Sequence, residues 1–329
     1  MILGSAAFLL RSKMPFLASG YQEMIHANSG GLLIAFLFII LSLMAMSEVM
    51  RHLLNAGGNK IRPHATMALT FISNSWSSTF PGGAAISTVY QFRNTRAWGV
   101  SVVISSWFIV LSGALSTVWL IALGLVSIVF LGASFSLAPL LGSAAVFISL
   151  AALVWWATNN PEPTSRILSA VMAVISRVLR IDLSAYTRTM NEHFSQLDSV
   201  HLSAPRFSFI ALLSLGNWLF EIIAVWICIW AVTGVLPSFE QVPNNTTIMG
   251  VVLAFVTAKI VGTAQLSPAG LGPVEAAMTA SLVAVGMTAS SAFGVVFVYR
   301  ILSFAVITAI GWIIYFISVA RGGIRARER

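Results

Sequence analysis

Five stretches of this chain, Gly31–Met50, Trp98–Leu131, Leu137–Trp156, Phe207–Val232 and Ala292–Val319, carry at most one charged side chain each. Each is roughly twenty residues or longer, enough helix to cross the ~30 Å hydrocarbon core of a bilayer. The backbone of such a run must satisfy its own hydrogen bonds in lipid, which restricts it to helix. Only 9% of the 329 residues are charged and 58% are hydrophobic, against about 25% charged in ordinary soluble domains. Ten Asp and Glu cannot wet the surface of a soluble fold this size. The expectation is an all-α polytopic membrane protein forming one transmembrane domain over residues 1–329, with about six transmembrane helices.

The 18 Lys and Arg, which give a net charge of +8, lie mostly between or after the apolar runs. That is the bias of cytoplasmic loops, and it argues against a nucleic-acid partner. Arg51, His52, Lys60, Arg62 and His64 follow the first span, and Arg93 and Arg96 follow the next apolar segment. Arg166, Arg177, Arg180, Arg188 and Arg206 mark residues 158–206 as a cytoplasmic loop, in which Ile167, Val171, Val174 and Val178 recur at the spacing of a surface helix. Arg321, Arg325, Arg327 and Arg329 make residues 321–329 a basic cytoplasmic tail, whereas Pro237–Thr247 has no Lys or Arg and reads as external. At the N-terminus, Ile2–Leu10 precedes its charges, Arg11 and Lys13, the reverse of a secretory signal. Residues 1–30 read as a partial helix followed by an interfacial one, with Leu17, Tyr21, Met24 and Ile25 at helical spacing.

Two apolar segments are broken. Residues 64–91 run through Ser73, Asn74, Ser75, Ser77, Ser78 and Thr79 into Phe80-Pro81-Gly82-Gly83. Residues 250–286 are interrupted by Ser267-Pro268-Ala269-Gly270-Leu271-Gly272-Pro273. Basic residues flank the first on both sides, so it fits a hairpin entering from the cytoplasm and returning. By the same charge count the second enters from outside. Residues 31–157 and 207–320 each read span, broken hairpin, span in opposite orientation, the pattern of an inverted-repeat transporter whose site lies at the interrupted segments. Pro and Gly also merely kink ordinary membrane helices; the matched placement of Pro81 and Pro268 favours the site.

Within such a site, helix N-termini exposed by the breaks attract anions. Ionisable residues at membrane depth cost several kcal/mol unless paired or hydrated. Here they are Glu221, Lys259, Glu275 and Arg300. Lys259 and Glu275 sit on opposite arms of the second hairpin and can pair across it; alternatively Arg300 faces Glu275. Glu221 is a proton carrier, an ion-pair partner or a snorkelling residue. The single Cys228 excludes a disulfide framework, and His26, His52, His64, His193 and His201 lack the spacing of a metal site. No nucleotide loop or nucleophile elbow occurs, so no cofactor and no metal are expected and a membrane enzyme is the weaker reading. A small-solute secondary transporter is the other competitor.

The second motif, Ser267-Pro268-Ala269-Gly270-Leu271-Gly272-Pro273-Val274-Glu275-Ala276 with Tyr299-Arg300 after it, resembles the transmembrane region of the bacterial lysylphosphatidylglycerol synthases. The first, Asn74 through Phe80-Pro81-Gly82-Gly83 with Arg93, matches more loosely. The resemblance implies lipid translocation between leaflets of the bacterial inner membrane, with a membrane-lipid substrate and a homodimeric assembly. It also implies a flippase-like chain without the fused aminoacyl-transferase domain of some relatives, so that a separate lipid-modifying enzyme would be its partner. Many relatives have a Gly-Glu pair where this chain has Gly82-Gly83-Ala84-Ala85, which leaves anionic phospholipids and polyprenyl-phosphate lipids open as substrates. The expected headgroup contacts are Asn74, Ser78, Pro81, Gly82, Gly83, Arg93, Lys259, Ser267, Pro268, Gly270, Gly272, Glu275 and Arg300, with Glu221 as a coupling residue.

Overall fold

A computed structural model describes residues 25–131, 202–264 and 267–324, with residue 22 and scattered positions between 142 and 163. The expected partial helix before residue 25, most of the Leu137–Trp156 span, the loop helices of 158–206 and the last residues of the tail lie outside the described residues. The elements are α1 (Ser29–Ala56), α2 (Pro63–Thr79), α3 (Gly83–Ala97), α4 (Val102–Phe130), α5 (Ala204–Thr233), α6 (Ile248–Gly262), α7 (Pro273–Ala284) and α8 (Ala289–Ala320). Among the described residues, α1, α4, α5 and α8 are long and apolar enough to cross a membrane. α2, α3, α6 and α7, of 17, 15, 15 and 12 residues, reach only about 18–26 Å at 1.5 Å per residue.

Local chemistry sets the ends. Asn28, Ser101, Thr247 and Thr288 cap α1, α4, α6 and α8 by accepting from the N–H groups of Gly31, Ile104, Gly250 and Ser291. Helix α1 outlasts the expected Gly31–Met50 span, because Arg51 and His52 continue it to Ala56. Arg51 donates to Glu48 at 2.5 Å, and the His52 ring meets Phe209 edge-on at 5.2 Å. These contacts neutralise or shelter polar groups that the hydropathy pattern assigns to a loop. The first hairpin likewise runs past residue 91 to Ala97, and α5 begins at Ala204 rather than Phe207.

The first helices of the two halves, α1 and α5, pack along their length and run antiparallel. Asn28 N–H donates to the Ala231 carbonyl (2.8 Å) at one end. Ser42 Oγ donates to Asn217 Oδ1 (3.0 Å) midway, and His52 meets Phe209 at the other end. Two further contacts are exchanged between halves: α2 of the first packs on α8 of the second, and α6 of the second packs on α4 of the first. At the α2–α8 crossing a Cβ on Gly311 would lie 2.0 Å from Ser75 Oγ and 2.3 Å from the Phe71 carbonyl oxygen. The helices therefore touch backbone to backbone, the close approach that small residues allow in membranes. Ser75 Oγ donates across that contact to the Thr308 carbonyl at 2.9 Å.

The two short hairpins are rooted at opposite ends of the α1–α5 pair. α2 follows the end of α1, and past the end of α3 Trp98 Nε1 donates to the Ile324 carbonyl (3.0 Å) beyond α8. α6 follows the end of α5, and Gln241 Nε2, in the loop between them, reaches the Val285 carbonyl just after α7 (3.4 Å). Since the end of α5 lies against the start of α1, the roots face opposite ways. The 3-10 turn Pro268–Gly270 at the tip of the second hairpin rests on α2 of the first.

Candidate functional site

Helix α2 stops at Thr79 because Phe80 turns extended (φ −113°, ψ 147°) ahead of Pro81. Gly82 then takes a left-handed φ of +63°, and Gly83 starts α3 with no room for a side chain, since a Cβ there would lie 2.2 Å from the Ser77 carbonyl oxygen. At the second break Ser267 Oγ donates to the Leu271 carbonyl (2.7 Å), closing the turn. Pro273 opens α7, and Glu275 Oε2 accepts from Gly272 N–H at 2.6 Å. The helix start that would attract an external anion is thus occupied by the chain's own carboxylate. At the first break the Gly83 and Ala85 N–H groups donate to the Phe80 and Gly82 carbonyls. The breaks shape the hairpins rather than offering free amides.

The charges meet elsewhere. Lys259 Nζ on α6 lies 2.5 Å from Glu221 Oε2 on α5, and Tyr299 on α8 donates its hydroxyl to the same oxygen at 2.7 Å. The ammonium also stands 5.3 Å from the Trp218 ring and 5.0 Å from the Phe255 ring, a cation–π setting. Arg300 Nε meets Glu275 Oε1 at 2.5 Å, with its guanidinium 5.0 Å from the Phe304 ring. Of the two pairings left open for Glu275, the structure has Arg300; Lys259 turns to Glu221 instead. Glu221 is an ion-pair partner. Arg300 sits where α8 changes to a π-helical turn, Ile301–Val306, an irregularity common at functional sites.

Both ion pairs border a cavity of about 510 Å³. The last turns of α2 contribute Asn74, Ser77 and Ser78, α4 contributes Ser116 and Thr117, and the second hairpin contributes Lys259, Gly262 and Thr263. Apolar walls come from Ile39, Leu43, Leu120, Phe255 and Phe304. Of the expected contacts, Asn74, Ser78, Lys259, Arg300 and Glu221 line this cavity, and Glu275 adjoins it through Arg300. Pro81 and Gly82 sit on an exposed tip, and Arg93 is exposed on α3 outside the cavity. Gly83, Ser267, Pro268, Gly270 and Gly272 form the turns without lining it.

Other contributors escaped the sequence reading: Ser77, Ser116, Thr117, Trp218 and Ser303 all line the cavity. The signal for Ser116 and Thr117 is a short polar patch following Gly113 in an otherwise apolar span. The first hairpin is braced from behind by Trp76, stacked on Tyr90 (5.6 Å) and edge-on to Tyr315 (5.8 Å). Trp312 Nε1 donates to Thr79 Oγ1 at 2.9 Å. No group of three or more His, Cys, Asp or Glu side chains that could hold a metal ion occurs among the described residues.

Long apolar helices, two broken hairpins rooted at opposite ends and a charged, polar cavity between them define a multi-pass integral membrane protein with an internal cavity. The family model for the lysylphosphatidylglycerol synthase transmembrane region matches residues 15–311. The chain belongs to that family, a membrane domain linked to lipid-related function. No curated protein matches the chain.

Proposed function

We propose that the chain is a lipid transporter of the flippase type in a bacterial inner membrane, with its C-terminus cytoplasmic. In this reading the two hairpins are re-entrant, and the cavity takes the phosphate-bearing headgroup of an anionic phospholipid or polyprenyl-phosphate lipid while the acyl chains stay in the bilayer. The observation that carries it is the meeting of both ion pairs with Asn74, Ser77 and Ser78 in one cavity that also has apolar walls from Ile39, Leu43, Leu120, Phe255 and Phe304. A volume of about 510 Å³ falls within the ~300–1,000 Å³ of small-ligand sites, and a polar end with apolar walls suits an amphiphile. Lys259 and Arg300 supply donors for phosphate in a medium where charge interactions are strong. Glu275 holds Arg300 in place, and Asn74, Ser77 and Ser78 hydrogen-bond the headgroup. Alternating access follows from one half rocking against the other across the exchanged α2–α8 and α6–α4 contacts.

Reconstitution tests the proposal. Purified protein in liposomes should accelerate leaflet exchange of at least one fluorescent lipid from a panel of anionic and polyprenyl-phosphate lipids. Glu275→Gln and Arg300→Ala should each slow it by an order of magnitude or more. Wild-type protein that moves none of the panel, or variants that match it, would contradict the site.

A further inference from the structure

We infer that transport is coupled to protons through Glu221, one proton accompanying each anionic lipid. This rests on the lipid-transport reading and concerns what travels with the lipid. Charge arithmetic over the site leads to it. Among the described residues, Lys259 with Glu221 and Arg300 with Glu275 sum to zero. A lipid phosphate diester entering between the two cations brings the total to minus one at membrane depth, a net charge that low-dielectric surroundings oppose. One carboxylate must then take a proton, and the two are not equivalent.

Glu275 keeps the Gly272 N–H and the start of α7 when its cation turns to phosphate, so its carboxylate still has a hydrogen-bond donor and a helix N-terminus beside it. Glu221 has no such support. Its cation is a flexible lysine already resting against Trp218 and Phe255, which the phosphate can draw off. What remains is the hydroxyl of Tyr299, a neutral donor that serves a protonated carboxyl as well as a carboxylate. The Glu221 side chain is 17% exposed, so the unpaired charge gains little from water. Among the described residues, the other helices that line the cavity bring nothing that titrates. Titratable groups lining the cavity are Glu221 from α5, Lys259 from α6, and Tyr299 and Arg300 from α8, with Glu275 of α7 behind Arg300. α1, α2 and α4 present Ser42, Asn74, Ser77, Ser78, Ser116 and Thr117.

The step balances. The Lys259–Glu221 pair, a phosphate diester anion and one proton from the open side give a Lys259–phosphate pair and a neutral Glu221 carboxylic acid. Release on the far side reverses it. Lipid anion and proton move together, and the transfer is electroneutral. Glu221 touches α6 and α8 through Lys259 and Tyr299, so its protonation also loosens a tie among three helices of the second half.

The test uses liposomes holding the purified full chain, fluorescent phosphatidylglycerol and an internal pH dye, with membrane potential clamped. One-for-one coupling predicts that a one-unit pH gradient drives the leaflet ratio to about tenfold, accumulating lipid in the alkaline-side leaflet and reversing with the gradient. Glu221→Gln should bring the ratio to about one. Lipid exchange in the wild type that ignores the pH gradient, follows voltage, or responds equally to a sodium gradient would overturn proton coupling while leaving lipid transport standing. A Glu221→Gln protein that keeps the tenfold response would overturn the assignment to Glu221. Absence of any exchange, across the full lipid panel and in the wild type, would overturn the transport reading itself.

Discussion

Removing the Arg300 guanidinium should destabilise the fold by an amount set by what it leaves behind. The Arg300 and Glu275 side chains are 15% and 20% exposed and meet at 2.5 Å. Breaking such a buried pair by deleting one partner costs about 3–5 kcal/mol, because the survivor remains charged and poorly solvated. In Arg300→Met the carboxylate still accepts from Gly272 N–H, so the lower end applies. About 3 kcal/mol is roughly a 150-fold loss in the ratio of folded to unfolded protein. In Glu275→Leu the arginine loses its carboxylate and the α7 start loses its carboxylate contact, about 1 kcal/mol more. The double variant loses only that contact and the modest net value of the pair, so it should be more stable than either single. Equilibrium or thermal unfolding of the four purified proteins in one detergent gives the cycle. Additive losses, with the double variant the least stable, would refute the claim that these residues stabilise each other.

Other consequences concern packing and orientation. Gly311→Ala should lower the melting temperature, because its Cβ meets Ser75 Oγ and the Phe71 carbonyl at 2.0 and 2.3 Å; overpacking of this kind costs about 1–3 kcal/mol. Gly83→Ala forces its Cβ onto the Ser77 carbonyl and should open the first hairpin, read as faster proteolysis near residues 80–84 at unchanged helix content. Cys228 is buried, so a maleimide should label it in denatured but not in folded protein. In a Cys228→Ser background, Lys60→Cys should be labelled by an impermeant thiol reagent only after the cells are opened, and Asn244→Cys in intact cells. Labelling of both from the same side would contradict the opposed hairpin roots.

Much of this architecture follows from composition and two interrupted segments. Charge-poor runs locate α1, α4, α5 and α8, and Pro81 and Pro268 locate the breaks. Boundaries were less legible where polar residues find partners at a distance: Arg51 and His52 stay helical because Glu48 and Phe209 lie within reach, and the Phe209 contact is invisible to a local window. The ionisable residues that meet around the cavity stand out in the sequence as charges within apolar segments, but their pairing does not. Lys259 and Glu275 flank one tip in sequence, yet Lys259 meets Glu221 on α5 and Glu275 meets Arg300. Tyr299 stood out only through its neighbour Arg300, since a tyrosine in an apolar span has no distinctive period. The glycines and prolines of the tips form the turns from which α2 and α6 bring Asn74, Ser78 and Lys259 to the cavity.

The central claim is that a lipid headgroup occupies the cavity between the two hairpins, and headgroup photo-crosslinking tests it most directly. Liposomes containing the protein and a phospholipid with a photoreactive group beside its phosphate would be irradiated and the adducts mapped by mass spectrometry. The account predicts adducts on the segments carrying Asn74 to Ser78, Lys259 to Thr263 and Arg300 to Phe304, reduced when excess unlabelled lipid of the same class competes. Adducts confined to outward faces such as those of Leu33, Val110 and Phe316, with no competition, would contradict it.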